Sequence, residues 1–493
     1  MEYFSTRGQD EKVSAAEAII RGLAPDGGLY VPDHFPRITE SDIDRMRSLD
    51  YRGRAEIIMR LFLDDFSAGE IESLCGQAYS SNFDCPDIAP TRFVDENTAY
   101  LELWHGPTSA FKDMALQMLP RLLTASLKKR GVSLGVCILV ATSGDTGKAA
   151  LEGFADVIGT RIMVFYPRDG VSDVQRLQMV TQRGENVGVC AVEGNFDDAQ
   201  TGVKAIFSDR ALAGRLREKG WFLSSANSIN WGRLLPQIAY YFSCYCDMLN
   251  AGVISAGGEM NFCVPTGNFG NILAGWIAKR MGLPVKRFIC ASNENNVLTD
   301  FINTGVYDKR RDFHLTSSPS MDILVSSNLE RLLYFITKDA GKTAAWMRSL
   351  SDEGRYFVGN DVLREIQADF AAGYCSDAEV QAEIARVWSE NGYLIDTHTA
   401  VASAVLGAYR EQSGDMTPAA VVSTASPYKF CASVLNALGE TADAPGHELI
   451  SRLESATGTA APAPLANLAG KPERFKDCIA PENMTSAVEK FLG

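Results

Sequence analysis

A run of uninterrupted apolar residues limits the possible folds of this chain more than any other feature. Val136-Cys137-Ile138-Leu139-Val140 carries no charged side chain, as expected of a strand that is buried on both faces of a sheet. Helix-like and strand-like patterns then alternate. The helices are expected near 147–156, 174–181 and 197–209, and the strands at 161–166 and 187–192. This order predicts a parallel sheet covered by helices.

The same alternation returns later in the chain. Its members are the strands Phe262-Cys263-Val264, Phe288-Ile289-Cys290 and Val421-Val422 and the helix 271–281. We therefore expect an α/β protein with two parallel-sheet lobes, each a sheet between helical layers. The lobes fall in the region 96–455, and the smaller lobe covers roughly 113–235.

The two ends of the chain have different patterns. Residues 1–95 are predicted to be mainly helical. Ser14 to Glu17 has the composition of a capping box, and a second helical pattern covers about 53–78. In the C-terminal segment 456–493, residues 456–470 carry two prolines and are predicted to form a surface linker or extended strap, and the last ~20 residues a docking helix.

Composition excludes several classes of function. The 493 residues carry a formal net charge of −14, which argues against broad nucleic-acid binding. No stretch approaches the ~18 apolar residues of a membrane span, and the N-terminus lacks the pattern of a secretory signal. The 11 cysteines and five histidines are scattered, so we predict neither disulfides nor a metal site. A cytoplasmic location is expected.

Lys112 is the first candidate for chemistry. Small residues and an aromatic residue precede it in His105-Gly106-Pro107-Thr108-Ser109-Ala110-Phe111-Lys112-Asp113, and an apolar helical run follows. A partly buried lysine at a helix start has a lowered pKa and can attack an aldehyde. From local context alone, this reading and that of an ordinary surface lysine both stay open.

Two turns between a strand and a helix are candidates for anion binding. In Gly267-Asn268-Phe269-Gly270-Asn271, glycines allow close approach of the backbone, and the following helix offers free N–H groups. In Thr142-Ser143-Gly144-Asp145-Thr146-Gly147-Lys148, hydroxyls cluster at a helix start. The spacing of that second turn does not match a nucleotide-binding P-loop. An ordinary connecting turn remains an alternative for the first.

Two further segments combine polar side chains with strand ends or loops. Arg233 lies among amides and hydroxyls in the stretch 224–237, a set suited to bidentate recognition of phosphate. The predicted strand at 421–422 ends in the hydroxyls Ser423 and Thr424.

Together these segments resemble threonine synthase of the longer bacterial and fungal class. That family belongs to the tryptophan synthase β-like, or fold type II, class of pyridoxal phosphate enzymes. Residues 105–113 match the family's H-G-P-T-x-A-F-K-D motif at every fixed position. The resemblance runs from Ala24 to at least Phe430. The segments 317–323 and 396–400 also look like family signatures, without an assigned role.

The resemblance implies specific roles around pyridoxal 5'-phosphate. Lys112 carries the cofactor as a Schiff base, and Thr424 faces its ring nitrogen. Asp145 stands where many relatives have an asparagine beside the ring oxygen. The residues that hold the cofactor phosphate are Gly267, Asn268, Phe269, Gly270 and Asn271. Ser426 replaces a histidine of the family pattern.

The resemblance also implies a substrate site and a reaction. Hydroxyls of the first loop hold the substrate carboxylate, and a second segment holds its phosphate. These residues are Thr142, Ser143 and Thr146 for the carboxylate, and Asn227, Ser228 and Arg233 for the phosphate. The expected reaction converts O-phospho-L-homoserine and water to L-threonine and phosphate, in a monomer or homodimer with no nucleic-acid or membrane partner.

Three alternatives stay open at this point. A threonine synthase-like phospholyase would keep Lys112 and the 267–271 turn but release a keto acid. A β-eliminating relative such as a dehydratase needs no second phosphate site. A non-catalytic pyridoxal phosphate-binding relative would keep the fold alone.

Overall fold

Two parallel sheets organise the chain, as its strand pattern predicts. The computed structural model describes residues 1–8, 11–169 and 171–493. The smaller sheet has five strands, all parallel to their neighbours. In spatial order they are Cys478–Ile479, Val187–Val192, Thr160–Pro167, Gly135–Ala141 and Trp221–Ser224. Its covering helices are Asp145–Phe154, Asp173–Val180, Phe196–Ser208 and Arg210–Glu218.

The larger sheet has six strands, and its outermost pair is antiparallel. In spatial order they are Phe370–Tyr374, Val285–Ser292, Met260–Pro265, Ala419–Ser423, Thr98–Glu102 and Thr91–Phe93. Ala419–Ser423 lies in the interior of this sheet and is buried along its whole length. The prediction of an α/β protein with two parallel-sheet lobes is therefore confirmed.

Helices surround the larger sheet and connect it to the smaller one. The bounds are Lys112–Leu116, Leu119–Lys129, Trp231–Leu234, Ile238–Asn250, Gly270–Met281, Val297–Thr304, Leu329–Thr337, Ala340–Asp352, Asn360–Asp369, Asp377–Asn391, Thr397–Ser413, Cys431–Ala437 and Gly446–Thr457. Short 3₁₀ turns lie at Leu235–Gln237, Pro319–Met321, Pro427–Phe430 and Pro481–Asn483. Val306–Asp308 and Arg355–Phe357 form a small antiparallel two-stranded sheet. Among the described residues, none of these helices combines the length and apolar character needed to cross a bilayer.

The N-terminal region is mainly helical, with two differences from the expected pattern. Its elements are Tyr3–Ser5, Ala15–Arg21, Tyr30–Pro32, Glu40–Arg47, Tyr51–Phe62 and Ala68–Ala78. The single helix expected at 53–78 is two helices, because Ser67 and Glu70 form a capping box that starts a new one. Ser14 does accept from the Glu17 N–H, but the Glu17 carboxylate pairs with Arg21 instead of closing a box.

The C-terminal segment returns to the smaller lobe. A short helix, Ala463–Ala466, interrupts the expected strap, and Leu465 within it is fully buried. Cys478–Ile479 then adds a strand to the smaller sheet, and helix Met484–Leu492 packs on helix Phe196–Ser208. The last residues of the chain therefore complete the edge of a lobe that begins more than 300 residues earlier.

The helix that begins at Lys112 packs closely on the helix that begins at Asp145. Gly153 lies at this contact, where a Cβ atom would come within 2.0 Å of the Leu116 carbonyl oxygen. Only a residue without a side chain permits this approach. The contact therefore fixes the spacing between the two helices that carry Lys112 and Asp145.

Replacing Gly153 with alanine should destabilise the fold by roughly 1–3 kcal/mol, because the extra methyl group forces the two helices apart. The urea unfolding midpoint measures this loss. Gly407→Ala is the matched control, since a Cβ atom there meets no atom within 4 Å in helix Thr397–Ser413. The control should be neutral or stabilising by up to about 1 kcal/mol. An equal loss in both variants would contradict the close contact.

Candidate active site

Lys112 lies at the first residue of its helix and points into the space between the lobes. It is 9% exposed. Its Nζ donates to Ser320 Oγ at 3.1 Å and lies 3.9 Å from Asp145 Oδ2. The amine therefore contacts one residue from each lobe.

The surroundings of Lys112 lower the pKa of its amine. Burial lowers the pKa of Lys112 to about 8; the Asp145 charge opposes this shift, and the Arg233 and Lys429 charges add to it. Near pH 7 an appreciable fraction of the side chain is then unprotonated, which is the form that attacks a carbonyl carbon. The sequence-based prediction of a partly desolvated lysine agrees with this arrangement.

Backbone contacts fix Lys112 beside the end of an interior strand. Ala110 pairs with Ala425 in an antiparallel bridge, and the Phe111 N–H donates to the Thr424 carbonyl oxygen at 2.8 Å. Thr424 is 5% exposed and follows Ala419–Ser423 directly. The structure thus brings Thr424 next to Lys112.

Ser426 has a structural position in the same turn. Its hydroxyl accepts from the Tyr428 N–H at 3.3 Å and caps the 3₁₀ turn Pro427–Phe430. The side chain is fully buried.

Asp145 begins the helix of the smaller lobe that faces Lys112. Its Oδ1 accepts from Lys429 Nζ at 2.9 Å and from Gln175 Nε2 at 2.9 Å. Burial alone would raise the pKa of Asp145, but the Lys429 and Lys112 charges and the two hydrogen bonds hold it below its usual range. Asp145 is therefore a buried carboxylate.

The turn before Asp145 is held by Thr142. Its Oγ1 accepts from the N–H groups of Gly144 at 3.0 Å and Gly147 at 2.9 Å. Gly144 has φ of 135°, which favours glycine. Ser143 and Thr146 are half-buried at this helix start.

The turn 267–271 shows the close approach that its glycines predict. A Cβ atom on Gly267 would lie 2.8 Å from the Ser320 carbonyl oxygen. Phe269 takes up a left-handed conformation with φ of 63° directly before helix Gly270–Met281. The Asn268 carbonyl oxygen accepts from the Asn328 N–H at 3.1 Å. Since Ser320 touches both Lys112 and this turn, the two predicted segments share one cleft.

Asn271 presents a buried donor that has no partner among the residues the structure describes. Its Oδ1 accepts from the hydroxyls of Tyr240 at 2.6 Å and Tyr241 at 2.7 Å. Its Nδ2 is buried and, among the described residues, has no hydrogen-bond partner. A free donor in the first turn of a helix is suited to an anion such as a phosphate.

The segment 227–233 divides into two environments. Asn227 is exposed, whereas the Ser228 hydroxyl lies 3.3 Å from Ser327 Oγ, which itself donates to Asn268 Oδ1. Ser228 therefore adjoins the 267–271 turn.

Arg233 is a buried cation whose guanidinium group makes few hydrogen bonds to the described residues. It is 6% exposed, and its Nη1 donates to the Ala226 carbonyl oxygen at 2.7 Å. Burial lowers the pKa of Arg233 to about 10, and within the described residues no carboxylate forms an ion pair with it. A buried guanidinium with unused donors is suited to bind an anionic group.

Three residues at the cleft had no role in the sequence-based interpretation. These are Ser320, His398 and Lys429. The Ser320 N–H donates to His398 Nε2 at 3.1 Å, so the proton of a neutral ring lies on Nδ1, which pairs with Asp396 Oδ2 at 2.8 Å. The sequence Asp396-Thr397-His398 was the available signal. It indicates that Asp396 caps the start of a helix, but it does not show what the ring of His398 contacts.

A second histidine supports the chain just before Lys112. His105 pairs with Asp84 at 2.6 Å and with Glu102 at 2.8 Å, and Trp104 stacks on its ring. Burial opposes a charged ring, but the two carboxylate partners raise the pKa of His105 to about 9. The ring is therefore a cation that links two acidic side chains.

Comparison with protein families covers nearly the whole chain. Residues 2–79 match the family described as "Threonine synthase N terminus", residues 98–426 match "Pyridoxal-phosphate dependent enzyme", and residues 399–492 match "Threonine synthase, C-terminal".

Individual proteins give the same result. The chain is 40% identical over 463 residues to a threonine synthase of Pseudomonas aeruginosa, covering 93% of this chain and 95% of that protein. A threonine synthase of Brucella melitensis with bound PLP matches the structure with a TM-score of 0.88 and 37% identity, covering 100% and 98% of the two chains.

A longer relative is also similar. The human protein "Threonine synthase-like 1" is 42% identical over 443 residues, which cover 87% of this chain. The match spans 59% of the length of that protein.

The His105 cluster should stabilise the fold in a pH-dependent way. Its folded-state pKa, about 9, lies above the unfolded value of about 6.5. The contribution is therefore complete below about pH 6.5 and is lost as the pH rises through about 9. At pH 6, His105→Gln should lower the free energy of unfolding by roughly 1–3 kcal/mol, which is seen as a lower thermal midpoint. The difference from wild type should shrink by pH 9.5. A difference that does not depend on pH would contradict a charged ring.

Proposed function

The chain belongs to the threonine synthase family of pyridoxal phosphate-dependent enzymes, and from this membership we propose that it converts O-phospho-L-homoserine and water to L-threonine and phosphate. The substrate is a small anionic amino acid. The observation that carries the proposal is Arg233, a buried guanidinium that lies outside the 267–271 segment and lacks a carboxylate partner among the described residues.

The residues present fit the cofactor. Asn271 Nδ2 is a buried donor that needs an acceptor, and it lies in the first turn of a helix, where a phosphate is favoured. We propose that the turn formed by Gly267, Asn268, Phe269, Gly270 and Asn271 holds the cofactor phosphate. Pyridoxal phosphate, when bound, disperses the negative charge that develops as a proton leaves a substrate carbon atom.

Lys112 is proposed to bind the cofactor and then to move protons. Its lowered pKa, about 8, leaves a neutral fraction that can react with an aldehyde. Once the amino group of the substrate has replaced it, Nζ is a free amine that can take a proton from one substrate carbon and return it to another. Ser320, which accepts from Nζ, would keep the amine directed into the cleft.

Two hydroxyl-bearing elements would orient the ligands. We propose that Thr424 faces the ring nitrogen of the cofactor, because its backbone is fixed directly beside Lys112. A neutral hydroxyl at that position favours an unprotonated ring nitrogen. Thr142, Ser143 and Thr146 lie at the start of the helix of Asp145, where a carboxylate is favoured. Their proposed ligand is the substrate carboxylate, with Asp145 near the ring oxygen.

Arg233 is proposed to hold the phosphate that leaves the substrate. Its charge is one of those that lower the pKa of Lys112, which supports a role for Arg233 at the same cleft. Ser228 and Asn227 lie in the same segment and could add hydroxyl and amide donors. A reaction with a phosphate leaving group needs such a site in addition to the one for the cofactor.

The products distinguish this function from its rivals. A phospholyase of the same family would release a keto acid from phosphohomoserine. A dehydratase would act on unphosphorylated serine or threonine, and Arg233 would then have no anion to bind. A non-catalytic relative would bind the cofactor without any turnover. Incubation with phosphohomoserine, followed by separate assays for threonine, keto acid and phosphate, decides among them.

Lys112→Ala should abolish turnover and the visible absorption of the bound cofactor, while the fold is retained. The reason is that the side chain supplies both the amine that bonds the cofactor and the group that moves protons. Circular dichroism checks the fold, and borohydride reduction followed by peptide mass spectrometry locates the bonded lysine. Cofactor found on a different lysine would contradict the assignment.

Arg233→Ala should lower kcat/KM for phosphohomoserine roughly 10–100-fold, because a charge-assisted hydrogen bond contributes about 1.5–3 kcal/mol. The visible absorption of the cofactor should be unchanged, since the 267–271 turn is intact. Arg233→Lys, which keeps the charge but loses the planar fork, should lose less. Slow reactions of unphosphorylated serine provide the control. An equal loss on both substrates would mean that Arg233 is structural.

A further inference from the structure

Lys429 is buried at the cleft, and its ammonium group faces three oxygen acceptors. The residue follows the interior strand Ala419–Ser423 and is 1% exposed. Its Nζ lies 2.9 Å from Asp145 Oδ1, 3.0 Å from the Thr108 carbonyl oxygen and 3.1 Å from Gln178 Oε1. Three acceptors match the three protons of an ammonium group.

These contacts join the two lobes. Lys429 belongs to the larger lobe. Asp145 is the first residue of helix Asp145–Phe154 and Gln178 lies within helix Asp173–Val180, and both helices belong to the smaller lobe. Charge-assisted hydrogen bonds in a buried environment are stronger than neutral ones. The Lys429 side chain therefore fixes the position of the helix Asp145–Phe154 relative to the strand end that carries Thr424.

The two oxygens of Asp145 face different partners. Oδ1 is occupied by Lys429 and Gln175, while Oδ2 lies 3.4 Å from Ser320 Oγ and 3.9 Å from Lys112 Nζ. Without a cation on Oδ1, the carboxylate would be free to turn toward Lys112, whose ammonium group would then be its nearest cation. The lysine thus constrains the direction in which the second oxygen of Asp145 points.

Resting on the proposed function, we propose that Lys429 is a positioning residue that holds the Asp145 carboxylate across the cleft and restrains it from turning toward Lys112, so that Asp145 Oδ2 and the Lys429 charge together set the reactivity of the Lys112 amine. Lys429 acts through Asp145 and is not proposed to touch the substrate.

The charges that face Lys112 give this proposal a direction. Asp145 and Asp113 are acidic and favour the protonated amine, whereas Arg233 and Lys429 are cationic and favour the neutral one. Removing Lys429 should therefore raise the pKa of Lys112, and removing the Asp145 charge should lower it. A lysine that acted on Lys112 by its charge alone would shift the midpoint equally with and without the Asp145 charge, whereas a residue that acts through Asp145 should shift it less in the Asp145→Asn background.

Four forms of the full chain test the proposal: wild type, Lys429→Met, Asp145→Asn and the double variant. Each is stripped of cofactor and mixed with pyridoxal phosphate, and the rate at which the visible band forms is measured against pH. Only the neutral amine reacts, so the midpoint of this profile reports the pKa of Lys112. We expect Lys429→Met to move the midpoint up and Asp145→Asn to move it down, each by about one pH unit.

The double variant and a matched control complete the design. Each single change leaves one buried charge without its partner, so the double variant should have a higher thermal midpoint than either single variant. Lys148→Met removes another buried lysine, which pairs with Glu152 in the same helix, and should leave the pH midpoint unchanged. Shifts in the same direction, or no shift in Lys429→Met, would overturn the proposal.

The outcome is independent of the proposed reaction. The rate of cofactor binding requires no substrate, so failure to form threonine leaves this measurement intact. Conversely, a wild-type enzyme that forms threonine while Lys429→Met leaves the pH profile unchanged would support the function and reject the role of Lys429. A variant too unstable to purify is replaced by Lys429→Gln, which keeps a donor near Asp145 but removes the charge; an unshifted midpoint in that variant also rejects the proposal.

Discussion

The buried pair of Asp145 and Lys429 is the interaction on which the rest of the cleft depends. A carboxylate with this little exposure would take up a proton unless cations faced it. Lys429 supplies one cation from the larger lobe, and Lys112 supplies another at the other oxygen. The buried charge of Asp145 in the smaller lobe is therefore balanced at Oδ1 only while the larger lobe holds the Lys429 ammonium group against its carboxylate.

That meeting point follows from the direction of the strands. Gly135–Ala141, Met260–Pro265 and Ala419–Ser423 each end at the cleft and lead into a polar turn. Parallel strands present their carboxyl ends at one edge of a sheet, which is where open α/β sheets bind ligands. Two sheets facing each other in this way bring the hydroxyls, the free N–H groups and the buried amines into a single volume.

Local patterns predicted the elements of this site but not all of its contacts. The Lys112 motif, the 267–271 turn and Thr424 could be found because each is a short segment with a distinct chemical signal. Ser320 and His398 lie in segments that the sequence also marked, but their contact could not be predicted, because it joins residues 78 positions apart. The N-terminal helices show the same limit, since an apolar period extending over 53–78 does not reveal the new helix start at Ser67.

The sequence by itself determined the order of strands and helices, the polar turns at the strand ends and the family to which the motifs belong. These properties depend on neighbouring residues, whose spacing along the chain is fixed by covalent geometry. Only the tertiary structure decided that Lys429 faces Asp145, that the Asn271 amide is buried beside Tyr240 and Tyr241 and that the C-terminal strand completes the smaller sheet. Such contacts arise from the packing of two lobes against each other, and the distance between residues in sequence does not specify them.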